Sequence, residues 1–139
     1  MIEEKSLELL SQALMGQRRA VRCYELIAAA AADPRDKDLL LAIRREERRH
    51  YYLLEGMYED ICGHAYHQTR VSLSLPRVYG QMLKTALCDK LAAIDFYEAL
   101  LPELQCVKNQ ELLAMIISDQ KEHARILVAI YDRNTAGSP

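Results

Sequence analysis

The 139-residue chain has no tryptophan, one phenylalanine, five glycines and four prolines. So few aromatics and turn residues argue against a sheet-rich domain, which needs both. Its four cysteines, Cys23, Cys62, Cys88 and Cys106, form no Cys-x-x-Cys pair. Neither a zinc ribbon nor a disulfide framework is expected, and reduced thiols point to a cytoplasmic setting. No apolar run approaches the ~20 residues of a membrane span; Leu26–Ala32 is too short and too rich in alanine. The opening Met1–Lys5 is too acidic for a signal peptide. Eighteen basic residues against twenty acidic ones leave a net charge of −2, without the excess of base that a nucleic-acid partner selects.

Half of the residues are hydrophobic, with Leu, Ala, Glu, Arg and Tyr prominent, which suits helices. Four helices can be read from patterns of period 3.6. The first runs from about Glu4 to Ala32, with Leu10, Leu14, Gln17, Val21, Tyr24 and Ala28 on one face. Asp33-Pro34 then supplies a cap and a first-turn proline for the second. That helix continues to about Ile61 with Leu40, Ile43, Glu47, His50, Leu54 and Met57 on its inner face. The third starts near Pro76 and ends at Pro102. The fourth covers about Val107 to Arg133. Residues 1–133 are expected to form a single bundle, and 134–139 a disordered tail.

Short turns make an antiparallel hairpin of each helix pair. The link between hairpins, roughly Cys62–Leu75, could reach ~46 Å if extended at ~3.3 Å per residue, enough to cross a bundle of ~37 Å helices. Two hairpins and one long crossover describe an all-α, four-helix, ferritin-like bundle; the linker's length permits that crossover without requiring it, and leaves other four-helix topologies open.

The chain also repeats. Laying residues 7–61 on 80–134, an offset of 73, matches 12 of 55 positions. His50 falls on His123, Tyr24 on Tyr97, Glu25 on Glu98 and Tyr58 on Tyr131. Three residues before each histidine stands Glu47 in one copy and Gln120 in the other. Glu-x-x-His is how a helix offers two metal ligands on one face. The apolar stripes are interrupted at their centres by Gln17, Glu47, His50, Lys90, Gln120 and His123. Gln17 to Glu47 and Lys90 to Gln120 are both intervals of 30 residues. Hairpins packed about a pseudo-dyad would therefore place all six in one buried polar layer, whose members must find partners.

With these residues the chain resembles the rubrerythrin and ferritin-like proteins over nearly its whole length, residues 7 to 133. The resemblance implies a ligand Glu on the first helix about seven residues before a Tyr, then Glu-x-x-His, with the set repeated on the other hairpin. Tyr24, Tyr97, Glu47-Arg48-Arg49-His50 and His123 fit. No rubredoxin-type iron domain is implied, because its cysteine pairs are absent.

The departures decide the expected function. Gln17, Lys90 and Gln120 occupy positions where the resemblance implies carboxylates. Four carboxylates would balance two divalent ions, whereas one carboxylate and one ammonium sum to zero. Lys90 would repel a nearby cation by several kcal/mol at an effective dielectric of about 20. The expectation is a ferritin-like protein without a di-iron centre or cofactor, plugged by a Glu47–Lys90 pair. Its role would be structural or interactive and non-enzymatic, and it would form a homodimer. Tyr51, Tyr52, Tyr58, Tyr66 and Tyr79 are candidate contacts, with a core role equally open to Tyr58 and Tyr79. The rival expectation is a mononuclear iron or zinc site, binding or oxidoreductive, formed by Glu47, His50 and His123.

Other groups point to no chemistry. Glu25 and Glu98 lie about 12 Å along the helix axis from the polar layer. Glu46 and Asp119 are rotated by about 100° from it, which suits a solvated or inter-helix role. Cys62, His64 and His67 have no supporting cluster. Arg44–Arg49 interleaves glutamates and reads as surface ion pairing.

Overall fold

The computed structural model describes residues 4–68 and 70–135. Four helices account for most of them: α1 (Glu4–Ala30), α2 (Pro34–Cys62), α3 (Tyr79–Leu100) and α4 (Val107–Thr135). A 3₁₀ turn at Leu101–Glu103 carries Pro102 and joins α3 to α4. Asp33 caps α2 as expected, its side chain accepting the Arg35 backbone N–H at 2.9 Å, with Pro34 in the first turn. Gly63 ends α2 in the left-handed region, at φ 82°, and its N–H bonds Glu59 O at 2.8 Å. Glycine adopts that conformation without a Cβ clash.

Two boundaries differ from the sequence reading. Leu73 and Leu75 pack partly buried against one half of the core. Their two-residue spacing is that of extended chain, so α3 begins at Tyr79, after an extended Val78, and not near Pro76. At the other end, Asn134 and Thr135 belong to α4 and not to a tail. Asn134 Nδ2 donates to Ile130 O at 2.7 Å and to Asp36 Oδ2 at 2.9 Å. Residues 136–139 lie outside the described residues.

The core falls into two apolar halves. One joins Leu10 and Leu14 of α1, Leu54 and Met57 of α2, Tyr97 and Leu100 of α3, and Leu113 and Ile116 of α4. The other joins Tyr24 and Ile27, Leu40 and Ile43, Leu83 and Ala86, and Leu127 and Ile130. The start of α1 thus meets the end of α3, and the end of α2 meets the start of α4. Ser6 Oγ, donating to Glu103 O at 2.7 Å, marks the first of these junctions. α2 ends in the first half and α3 starts in the second, so the intervening segment crosses the bundle lengthwise. The protein is an all-α, ferritin-like four-helix bundle of two antiparallel hairpins joined by a long crossover.

Asp36 closes the second half. It is 1 % exposed and accepts from Tyr79 Oη at 3.2 Å, from Asn134 Nδ2 and from Arg133 Nη2. One carboxylate therefore holds the starts of α2 and α3 and the end of α4.

Candidate functional site: a buried polar layer between two apolar halves

Between the two halves lie the six polar residues expected to share a layer, none more than 3 % exposed. Each helix contributes at the midpoint of its apolar stripe, so the 30-residue intervals of the sequence become side-chain contacts.

Glu47 is the centre. Oε1 receives Lys90 Nζ at 2.7 Å and faces His123 Nδ1 at 2.7 Å. Oε2 receives Gln120 Nε2 at 3.1 Å and also Gln17 Nε2. Gln17 Nε2 bonds the Glu47 backbone carbonyl as well, at 2.8 Å. A carboxylate offers about four lone-pair sites, and here four protein donors meet them. Burial alone would raise the pKa of this carboxyl. The Lys90 ammonium, then His123 through its hydrogen bond and charge, outweigh burial and hold Glu47 well below the usual carboxylate range.

Lys90 makes a second bond, to Gln120 Oε1, and lies over the Tyr24 ring, 5.1 Å from its centroid. Tyr97 Oη donates to Gln17 Oε1 at 2.7 Å. Burial first, and the nearby Glu47 charge second, raise the pKa of both tyrosines well above the ordinary phenol value. Each therefore stays a neutral hydroxyl.

The two histidines each point one nitrogen into the layer and one outward. His50 Nε2 meets Asp119 Oδ2 at 2.9 Å, and His123 Nε2 meets Glu46 Oε2. His50 Nδ1 faces the Gln120 amide nitrogen at 3.3 Å. Nδ1 of His50 is thus the acceptor and its Nε2 carries the proton. His123 has a carboxylate at both nitrogens, so only the doubly protonated ring makes both bonds. Sequence reasoning gave Glu46 and Asp119 a solvated or inter-helix role. They are the inter-helix partners of the opposite hairpin's histidines, a detail that rotation about one helix does not disclose.

The structure thus brings together Glu47, His50 and His123, and Lys90, Gln17 and Gln120 with them. Among the described residues, no three His, Cys, Asp or Glu side chains are arranged to hold a metal ion. Glu25 stays on the surface with Arg22 and Arg44, and Glu98 with Lys121. His64 and His67 are exposed. Of the tyrosines proposed as contacts, Tyr52 is 59 % exposed, while Tyr51 is buried. Tyr58 packs edge-on against Tyr66 with centroids 5.2 Å apart, and Tyr79 is committed to Asp36. No helix among the described residues is long and apolar enough to cross a membrane.

No protein-family model matches the chain. The uncharacterised protein YhjR of Bacillus subtilis (strain 168) is 25% identical over 115 residues, 83% of this chain and 79% of that protein. The dodecameric thioferritin of Bacteroides fragilis, a bacterioferritin-related protein, superposes with a TM-score of 0.84 at 17% identity, over 98% of this chain and 89% of that one. Desulfovibrio desulfuricans bacterioferritin, whose di-iron site has been captured in different catalytic states, gives 0.83 at 16% identity, over 98% and 84%. A two-domain protein of Anabaena variabilis ATCC 29413, with DJ-1/ThiJ/PfpI-like and ferritin-like domains, gives 0.80 at 19% identity. The present chain spans 39% of that protein's length.

Proposed function

From a ferritin-like fold, we propose that the Glu47–Lys90 cluster stands in the place of a two-metal centre and that the protein works through its surface, without catalysis of its own. The observation that carries this reading is the Glu47 carboxylate, with donors at all four of its acceptor positions. A cation approaching Glu47 would have to displace Lys90 or His123, and displacing one partner of a buried pair leaves the other charge uncompensated. The residues present do not fit two divalent ions, since Gln17, Lys90 and Gln120 add no negative charge.

In this reading the bundle associates with itself as a homodimer in the cytoplasm, with Tyr52 as one exposed contact. The Bacteroides neighbour is a dodecamer, which supports self-association as a use of this fold. Light scattering on the purified chain would report the assembly directly.

One observation favours a second reading, a single iron or zinc ion held by Glu47, His50 and His123. Carboxylates on the outer nitrogens of both histidines are the arrangement that orients imidazoles toward a metal. Metal analysis of protein purified without chelator separates the two. Protein that stays metal-free when offered ferrous iron or zinc supports the plug. Stoichiometric metal that is lost in His123→Ala replaces the plug with the single-ion site.

A further inference from the structure

A cavity of about 470 Å³ lies between α1 and α3 and ends on the polar layer. Small residues stand in its walls, Ala13, Gly16 and Ala20 on α1 and Ala86 and Ala93 on α3, beside larger ones such as Met15 and Phe96. The offset of 73 pairs Ala13 with Ala86 and Ala20 with Ala93, so both hairpins keep this face small. A Cβ added at Gly16 would find only Arg19 Nη2, at 4.0 Å. A space of this size is in the range that takes small organic ligands, roughly 300–1,000 Å³.

The floor carries hydrogen-bond donors that the protein itself does not use. Tyr97 satisfies its hydroxyl on Gln17 Oε1. The repeat sets Tyr24 in the same relation to Lys90, but the hydrogen bonds of Lys90 go to Glu47 and Gln120. Tyr24 takes the Lys90 charge on its ring, and its hydroxyl makes no hydrogen bond to any described residue. Tyr24 is 2 % exposed and lines the cavity. Among the described residues the sealed polar atoms without a partner are Arg44 Nε and Tyr51 Oη; the Tyr24 hydroxyl is open to the cavity and free to meet an incoming acceptor. Lys90 also spends only two of its three N–H donors, on Glu47 and Gln120.

Charge chooses the ligand class. Glu47 and Glu46 already match Lys90 and His123, so an arriving carboxylate would lie uncompensated beside Glu47 in a desolvated site. A neutral oxygen meets the two free donors without that penalty. Cys23 also lines the cavity. Burial, with the Asp89 charge adding, pushes its thiol up to about 12, so it stays protonated and the binding is non-covalent.

We propose that the cavity between α1 and α3 binds a small apolar molecule bearing one neutral hydrogen-bonding oxygen, such as an alcohol, ketone or phenol, which meets Tyr24 and Lys90 at the floor. The proposal rests on the plug reading, since it takes Lys90 as paired with Glu47 and not displaced by metal.

The test is calorimetric titration of the full chain, in EDTA at neutral pH, with straight-chain 1-alkanols of about six to ten carbons and the matching carboxylates. Alkanols should bind one to one, roughly fourfold tighter per added CH₂ until the space is filled. Carboxylates should bind at least about tenfold more weakly. Gly16→Leu, which fills the space and favours helix, should abolish binding while unfolding at or above the wild-type temperature. Ala93→Leu should do the same from the opposite wall. Tyr24→Phe should weaken alkanol binding by roughly two- to tenfold. Absence of saturable alkanol binding, unchanged affinity in both filling variants, or carboxylates binding as well as alkanols would each overturn the proposal. Zinc and ferrous-iron titrations of the same protein, after the EDTA is removed, judge the plug separately: metal uptake with retained alkanol binding overturns only the plug, and metal-free protein that ignores alkanols overturns only the ligand site.

Discussion

His50 and His123 lie with ring centroids 6.0 Å apart and planes inclined by 29°, and each sends its outer nitrogen to a carboxylate on the other hairpin. Asp119 serves His50 and Glu46 serves His123, so the pseudo-dyad exchanges one pair for the other. The inner nitrogens do not share this symmetry. One meets an amide and the other a carboxylate, because Gln120 stands in one copy where Glu47 stands in the other.

That asymmetry makes Glu47 and Lys90 interdependent. Lys90→Met removes the ammonium and leaves the buried carboxylate partly uncompensated, a loss expected to cost about 3–5 kcal/mol. Glu47→Gln in the same chain removes the stranded charge. The double variant should therefore be more stable than Lys90→Met alone. Urea unfolding of the two singles and the double would check this, and additive losses would argue against a coupled pair.

The low pKa of Glu47 also fixes an acid limb of stability. The folded carboxyl titrates well below the ordinary value of 4.5, so the stabilisation is fully present above that value. As pH falls below about 5, the unfolded chain takes up a proton that the folded chain refuses, and stability declines toward the folded pKa. On the alkaline side the signs reverse. Tyr24 and Tyr97 hold their protons more tightly when folded, so stability should fall above about pH 10 as the unfolded phenols ionise. Urea midpoints against pH should show both limbs, and Glu47→Gln should flatten the acid one.

Restoring the missing acids tests the register of the whole layer. Gln17→Glu, Lys90→Glu and Gln120→Glu together would give the layer four carboxylates and two imidazoles, formally matched to two divalent ions. The triple variant should bind two equivalents of ferrous iron or manganese per chain and melt higher with metal than without. Failure to bind after correct folding would show that the six side chains do not share one centre.

Asp36 offers a test away from the layer. Asp36→Ala leaves Tyr79 Oη without its acceptor, and Asn134 Nδ2 with only Ile130 O, and should cost about 1–3 kcal/mol. Adding Tyr79→Phe should cost less in that background than in the wild type, because the partner has already gone. Thermal melts of the four species would show the coupling.

Much of this arrangement was legible in the chain. Asp33-Pro34 marked a helix junction because capping and proline chemistry are local. The layer could be read because helical periodicity and two equal intervals of 30 residues fix heights along the bundle. What escaped sequence reading depends on the approach of one helix to another. Glu46 and Asp119 stand off the inner face of their own helices, and only cross-bundle packing delivers each to the far histidine. The late start of α3 depends on Leu73 and Leu75 docking while extended, against a core that a helical pattern does not show. The difference between Tyr24 and Tyr97 depends on where the Lys90 ammonium sits, over the Tyr24 ring and bonded to Glu47 and Gln120, which spacing along the chain does not disclose.

The equal intervals also divide ownership of the central charges. The α1–α2 hairpin carries the acid with one amide, and the α3–α4 hairpin carries the base with the other. Neither hairpin can neutralise its own buried charge. Cut within the crossover, the two fragments would each be poor at closing a core alone, yet each holds what the other needs. The bundle is in this sense a lock and key made from a single chain, and recognition between its halves comes from chemistry that in a metal protein would be left to the ion.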